Sequence, residues 1–358
     1  MRIALNAWFW DQPETGSGQY TRRLAENLTA LDPSVEVVPI FPRARGDLGK
    51  VHFEQIVFPR EARRLGADLA HVPYWGPPLA PTIPTVVTIH DLIPLLLRPY
   101  RGGPLVRLYT ALVSAATPSA ALVLTDSESS RRDILAHLRL PPARVRSIPL
   151  AADARFSPDP QPEDETIRAR YSLPRRYVLY LGGFDVRKNV VAALTAYRWV
   201  GPVLGEECPL VLAGRLPERD TPFAPDPRRQ ARELGLRPEW VRFIGPVTEE
   251  EKPALYRGAV AFVFPSRYEG FGLPPLEALA CGTPVVGSDA ASLPEVVGDA
   301  GILLPPDDAE GMAGAILQLA QDAKFRDQLC RRALVRAAHF SWGETARRTL
   351  EAYRDALS

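Results

Sequence analysis

Cysteine is scarce in this sequence: Cys208, Cys281 and Cys330 are three among 358 residues, far apart, and without the spacing of a disulfide framework or a metal site. That excludes a disulfide-stapled scaffold, favours a reducing compartment, and leaves no metal to expect. Lysine is scarce as well. Of the 43 basic residues only Lys50, Lys188, Lys252 and Lys324 are lysines, so arginine is the default cation. A charge excess of one sign is missing too. The formal net charge is +1, whereas nucleic-acid-binding domains carry a clear basic excess, so no nucleic-acid partner is expected. The N-terminal run Met1-Arg-Ile-Ala-Leu-Asn-Ala7 meets polar residues at Asp11, too brief for a signal peptide or a membrane span. The expected location is cytoplasmic.

What is present is a composition of 46% hydrophobic and 24% charged residues, the balance of a folding globular chain. At about 150 residues per domain, the length suits two domains. Short β-branched runs alternate with helical patterns, the signature of βα units around parallel sheets, so the class is α/β. Strands are expected near Ile3–Ala7, Val35–Ile40, Leu69–Val72, Thr85–Ile89, Ala121–Thr125 and Val145–Ile148, with helices at Gly18–Leu31, Pro104–Ala116 and Glu128–His137 among them. Pro158, Pro160, Pro162 and a run of charge then mark a linker over 156–176 between a domain at 1–155 and one at 177–340. In the second half strands are expected near Tyr177–Leu181, Leu210–Ala213, Val241–Ile244, Ala259–Phe264, Pro284–Gly287 and Gly301–Leu304. A terminal helix over 341–358 is expected to pack back toward the first domain. Ligands of open α/β sheets bind at the carboxyl ends of the strands, so two such sheets are expected to face an interdomain cleft.

The strongest local signal is Phe264-Pro-Ser-Arg-Tyr-Glu269-Gly-Phe-Gly-Leu-Pro-Pro-Leu-Glu277-Ala-Leu-Ala-Cys-Gly-Thr-Pro284. A strand ends in a glycine-bearing turn and a helix opens with Pro274 and Pro275, which need no backbone N–H to donate there. The turn and the positive end of the helix dipole make a cradle for phosphate, flanked by two carboxylates suited to hydroxyl-rich ligands. This stretch resembles the E-x7-E motif of glycosyltransferase family 4, in its setting P-S-x-x-E-G-F-G-L-P-x-L-E-A-x-A-x-G-x-P-V, and the resemblance extends over nearly the whole chain. It implies a GT-B fold of two Rossmann-like domains, with the donor nucleotide in the C-terminal domain and the acceptor mainly in the N-terminal one.

By that resemblance Glu269 contacts donor-sugar hydroxyls, the amides of Gly270, Phe271, Gly272 and Leu273 meet the sugar and diphosphate, and Glu277 holds the ribose. Tyr180-Leu-Gly182-Gly183-Phe-Asp-Val-Arg187-Lys188-Asn189 looks like the family's donor-phosphate loop, in which Lys188 matches the phosphate-binding lysine. Many relatives place an arginine where this sequence has Gly183, and Arg187 stands ready to supply that charge. Glu14-Thr-Gly16-Ser-Gly18-Gln-Tyr20 matches the glycine loop that closes over the diphosphate. In Thr88-Ile-His90-Asp91, His90 falls at the family's active-site histidine, a donor-sugar contact, and Asp91 is read as orienting it or binding acceptor. Gly214, Gly245 and Val247 resemble base-contacting segments.

The resemblance implies transfer with retention. The catalytic candidates are His90, Glu269 and Lys188, and no carboxylate is assignable as a nucleophile, so front-face displacement is expected. The absence of an Asp-x-Asp motif agrees with a metal-free reaction. The Val-Arg-Lys-Asn form of the phosphate loop resembles mannosyltransferases, favouring GDP-mannose over a UDP-sugar as substrate, with no further cofactor. The acceptor is a saccharide or lipid-linked saccharide, as in polysaccharide biosynthesis. Two other readings stand beside this one: a GT-B-like sugar-nucleotide epimerase, and a non-catalytic sugar-nucleotide-binding paralogue. Arg60, Arg63, Arg64, Arg98, Arg101, Arg107, Arg131 and Arg132, with Leu95–Leu97, Tyr100 and Tyr109 nearby, raise peripheral contact of the N-terminal domain with an anionic inner membrane face.

Overall fold

A computed structural model describes every residue of the chain except Glu14 and Arg45. It divides into two compact units, one formed by Met1–Ala151 with Phe340–Ser358 and the other by Ala152–His339. Each is built on a six-stranded sheet whose described pairings are all parallel.

The first sheet holds β1 (Arg2–Asn6), β2 (Glu36–Ile40), β3 (Leu69–Val72), β4 (Thr85–Thr88), β5 (Leu122–Thr125) and β6 (Val145–Ser147), in the order β2-β1-β3-β4-β5-β6. The second holds β7 (Val178–Leu181), β8 (Leu210–Ala213), β9 (Val241–Gly245), β10 (Ala261–Phe264), β11 (Val285–Ser288) and β12 (Gly301–Leu304), in the order β12-β11-β10-β7-β8-β9. Strand order therefore reverses once in each sheet, beside β1 and β3 in the first and beside β7 and β10 in the second. At such a reversal the crossovers leave in opposite directions and open a crevice at the strand carboxyl ends.

The second sheet shows why its strands read as continuous apolar runs: both faces are covered. Along β7 and β10, Val178, Tyr180, Ala261 and Val263 face the helices Val190–Leu204 and Ala309–Gln321. The alternating residues Leu179, Leu181, Phe262 and Phe264 face the other way, toward the helix Leu273–Ala280. Residues 156–176, expected as a linker, lie within the second unit. They contain a helix, Asp164–Arg170, whose Ile167 is buried in that unit's core and whose Asp164 is ion-paired with Arg257. Prolines and charge mark a surface-following segment here, one that is fastened by an apolar anchor and an ion pair.

The last helix, Trp342–Leu357, belongs to the first unit. Thr345 Oγ1 donates to the Pro149 carbonyl at 2.7 Å and Arg348 Nη2 to the Ser147 carbonyl at 2.7 Å. Tyr353 Oη lies 2.7 Å from Nδ1 of buried His71 on β3, whose Nε2 lies 2.9 Å from Thr88 Oγ1, itself 3.0 Å from Tyr20 Oη. Burial, reinforced by the charge of His90, pushes His71 down to about 3, so its ring is neutral at ordinary pH. Among the described residues no helix is long and apolar enough to cross a membrane.

Replacing Tyr353 by Phe strands a ring nitrogen of His71 in the interior, where losing a hydrogen-bond partner costs about 1–3 kcal/mol. A lower urea midpoint at unchanged m is the expected result, and an unmoved midpoint would show that the bond does not hold the last helix in place.

Candidate functional site

The motif residues of the second unit assemble where its strand order reverses, on the loops after β7 and β10. The β7 loop turns on Asn189, which adopts a left-handed conformation (φ 52°) that Asn tolerates better than most residues. Its Nδ2 donates to the carbonyls of Pro265 (3.1 Å) and Pro306 (2.7 Å), and Arg267 N donates to the Arg187 carbonyl at 2.8 Å. These bonds tie the two loops together and fix the direction of the two cations between them.

Both cations converge on Glu269. Lys188 Nζ is 2.8 Å from Oε1 and Arg187 Nη1 is 2.7 Å from Oε2, and Arg187 also donates to the Tyr268 carbonyl at 2.9 Å. Ser266 Oγ adds a 2.6 Å bond to Oε1, and the Phe264 ring lies 5.0 Å from the Lys188 ammonium. Burial pushes the Glu269 carboxyl up, but the charges of Lys188 and Arg187 and the Lys188 and Ser266 hydrogen bonds outweigh it and hold the group below its ordinary value. The cluster is thus an ionised carboxylate between two cations, with Asp185 Oδ1 a further 3.9 Å from Arg187 Nε. Where relatives of the motif carry an arginine, Gly183 offers no cation, and Arg187 brings its guanidinium to the carboxylate that Lys188 holds.

The turn after Glu269 is pinned by Ser292, whose Oγ lies 2.9 Å from the Glu269 carbonyl and 2.6 Å from that of Phe271. Gly272 (φ 116°) precedes the helix Leu273–Ala280, and a Cβ there would sit 2.9 Å from Leu293 Cδ2, so backbone and space both require glycine. Pro274 and Pro275 lack an N–H and so add no donor at this helix end.

Glu277 has a different setting. It is 3% exposed, accepts from Tyr256 Oη at 3.0 Å, and burial raises its carboxyl above the ordinary range, with Lys252 opposing this and Glu249 adding to it. Next to the cluster, β7 and β8 end in Gly182 and Gly214, so close that a Cβ on Gly214 (φ 152°) would collide with the Gly182 carbonyl. Gly214 N donates to the Gly245 carbonyl at 2.8 Å at the end of β9, and Val247 packs on the core just beyond. The three strand ends thus present a glycine-lined backbone surface.

The remaining candidates lie in the first unit. Gly16 is exposed at the start of the helix Gly16–Leu31, which Thr15 caps by accepting from Gly18 N at 3.1 Å. A Cβ on Gly18 would run into the Gln12 carbonyl, so the loop packs on bare backbone. Glu14 of this segment lies outside the described residues. His90, half-buried after β4, has Nδ1 2.7 Å from Asp126 Oδ2 and Nε2 3.2 Å from the Pro73 carbonyl, with the Tyr20 ring edge-on at 5.0 Å. Burial lowers its pKa, but the charge and hydrogen bond of Asp126 outweigh burial and raise it above the ordinary value. Two acceptors suit an imidazolium, which donates from both nitrogens. Asp91 accepts from Ile93 N at 3.0 Å and so shapes its own turn.

Sequence reasoning passed over Ser292 and Asp126 and gave no separate role to Ser266 and Asn189, although both stand inside the quoted motifs; Asp126, in Thr-Asp-Ser-Glu-Ser directly after a strand, was an available signal.

With this geometry in place, comparison with known proteins decides the family. Residues 163–335 match the family described as glycosyl transferases group 1, and residues 15–156 match glycosyltransferase family 4. The sequence is 37% identical over 270 residues to the O-antigen chain mannosyltransferase B of Escherichia coli, an alignment covering 75% of this chain and 70% of that protein. The chain belongs to glycosyltransferase family 4. It is also 33% identical over 277 residues to the serotype-specific mannosyltransferase WbdA of Escherichia coli, covering 76% of this chain but 34% of that longer protein. Its fold is that of the GT-B glycosyltransferases. The sucrose-phosphate synthase of Thermosynechococcus elongatus superposes with a TM-score of 0.75 at 23% identity, covering 99% of this chain and 98% of that one. Anabaena HepE in complex with UDP and glucose does so with 0.74 at 17%, covering 99% of each. The mannosyltransferase relatives make this glycosyltransferase a hexosyltransferase.

The His90 pair gives a pH-dependent prediction. A histidine raised by a carboxylate contributes stability that is full below the ordinary histidine range and is lost as pH rises through its folded value. In Asp126→Asn the main opposition to burial is removed, leaving only Asp91 and the Pro73 carbonyl against it, so the His90 ring is expected to titrate below the wild-type value when followed by NMR. An unchanged titration would show that Asp126 is not its partner in solution.

Proposed function

We propose that this family 4 glycosyltransferase transfers mannose from GDP-mannose, with retention and without a metal, to a hydroxyl of a saccharide or lipid-linked saccharide. The observation carrying this reading is the Arg187–Glu269–Lys188 cluster at the strand reversal of the second unit. Its two cations suit a diphosphate, and its ionised carboxylate suits the hydroxyls of the sugar attached to it. Mannose is favoured by the mannosyltransferase relatives, and the guanine base by the Val-Arg-Lys-Asn form of the β7 loop.

In this reading the bond from the anomeric carbon to the diphosphate oxygen breaks as the acceptor oxygen approaches from the same face. The departing oxygen receives the acceptor's proton, and the new glycosidic bond keeps the donor's configuration. Lys188, Arg187 and the Gly270–Leu273 amides take up the charge developing on the diphosphate, which they do best when fixed beforehand as the loop bonds fix them. Glu269 orients the sugar, Glu277 holds the ribose, and His90 contacts the sugar from the first unit.

The test is thermal shift and slow donor hydrolysis across GDP-, UDP- and ADP-sugars with EDTA present. GDP-mannose is expected to stabilise most, and hydrolysis to survive EDTA and fall by about a hundredfold in Glu269→Ala. Loss of turnover in EDTA would end the metal-free reading. Stabilisation by a UDP-sugar would replace the donor, and rearrangement of donor without acceptor would favour an epimerase.

We further infer contact with an anionic membrane through the helix Pro104–Ala116, where Leu105 and Leu108 are 75% and 68% exposed beside Arg98, Arg101 and Arg107. Within the expected basic face several members are engaged locally: Arg107 donates to the Gly102 carbonyl, Arg64 pairs with Glu61, and Arg131 donates to the Val145 carbonyl. Flotation with anionic vesicles, lost in Leu105→Ser/Leu108→Ser, is the expected result; wild-type protein that stays unbound would remove the membrane from this account.

A further inference from the structure

Lys50, one of the four lysines, is enclosed by aromatic rings in the first unit. Its Nζ lies 4.7 Å from the ring centre of Tyr109, 5.1 Å from that of Tyr74 and 5.4 Å from that of Phe9. It is also 3.7 Å from Oε1 of Glu54, a carboxylate that is 0% exposed. Tyr109 Oη donates to that carboxylate, 3.0 and 3.1 Å from its two oxygens. Glu54 lies on a π-helical turn, Phe53–Val57, between the helices Asp47–His52 and Phe58–Arg64. Such turns weaken a helix and concentrate where a side chain has to be aimed. At Gly76 a Cβ would sit 2.7 Å from Glu54 Oε1, so glycine alone lets this loop lie against the carboxylate.

The location adds a second argument. Phe9 follows β1, and Tyr74, Trp75 and Gly76 follow β3, the strands beside the order reversal of the first sheet, where α/β sheets bind ligands. Phe9, Trp75 and Tyr109 are each half-buried. As a stability device the pair makes poor sense, because a buried ion pair is no better than apolar filling. Burial drives Glu54 up to about 7, against the opposing effect of Lys50 and the hydrogen bonds of Tyr109 and Tyr74. Burial also lowers Lys50, against the effect of Glu54 and Asp47.

We propose that Lys50, seated on Glu54, is an acceptor-binding residue that takes an uncharged saccharide end. A pyranose lays its C–H face on the rings of Phe9 and Tyr109, and one of its hydroxyls accepts from Nζ. The ammonium is already shared with the Glu54 carboxyl at 3.7 Å, which an arriving phosphate would also have to face, so the site suits a hydroxyl better than a phosphate. This inference rests on the transferase reading above and adds to it the chemistry of the acceptor.

The experiment uses the full chain with two probes, methyl α-mannopyranoside and mannose 1-phosphate, followed by saturation-transfer NMR. The variant is Lys50→Met combined with Glu54→Gln, which removes both charges together and keeps an acceptor for Tyr109. The neutral glycoside is expected to bind wild type and to bind the paired variant about tenfold more weakly, as for one lost hydrogen bond to a charged group. Melting temperature is expected to stay near wild type. Phe9→Leu, which removes one stacking face and no charge, gives the same direction if the paired variant fails to fold. Glycoside binding that is absent from wild type, unchanged in the variants, or weaker than that of the phosphate ester would overturn the proposal. Donor hydrolysis in the same samples reports on the transferase reading separately.

Discussion

Parallel strands cannot be joined by tight hairpins, and every other feature of this chain follows from that constraint. Each strand must be followed by a crossover, so all strands of a sheet point the same way and release their loops along one edge. Where the order reverses, two adjacent loops part. In the second unit those two loops carry Lys188 and Arg187 on one side and Glu269 on the other. In the first, the loops after β1 and β3 carry Phe9 and Tyr74 around Lys50. The same topological event thus supplies an ionic cluster in one unit and an aromatic one in the other, the latter completed by Lys50 and Tyr109 from the helices Asp47–His52 and Pro104–Ala116.

Two buried glutamates and the half-buried Glu269 show how little residue type says without surroundings. Glu269, between two cations and accepting from Ser266, is held ionised. Glu277, with a tyrosine hydroxyl as its hydrogen-bond partner and Lys252 at longer range, is raised by burial. Glu54, with a partly compensating lysine and tyrosine hydroxyls, is raised as far as neutrality. Burial pushes all three the same way, and the charge brought within contact distance decides the outcome.

Much of this was legible in the sequence. All twelve strands lie within two residues of where alternation and β-branched runs put them, because a sheet covered on both faces leaves a strong apolar signature. The Glu269–Glu277 stretch and the Arg187-Lys188 pair were legible for another reason, since each is contiguous in the chain. Asp126 and His90, Ser292 and the Glu269 turn, or Tyr109 and Glu54 are joined over 36, 23 and 55 positions, and no local pattern announces such pairs. The helix Asp164–Arg170 was hidden differently: its prolines and charges mark a surface segment, and one buried isoleucine binds it to the core.

The return of the last helix to the first unit sets an order of construction. Residues 152–339 are contiguous, so the second unit has all of its strands once the ribosome has passed them. The first unit, though begun earlier, waits for Thr345, Arg348 and Tyr353 before the carbonyls of Ser147 and Pro149 and the ring of His71 find their partners. In the nascent chain the half that starts first is therefore completed last, and until then buried polar groups beneath the final helix stand open to water and to chaperones.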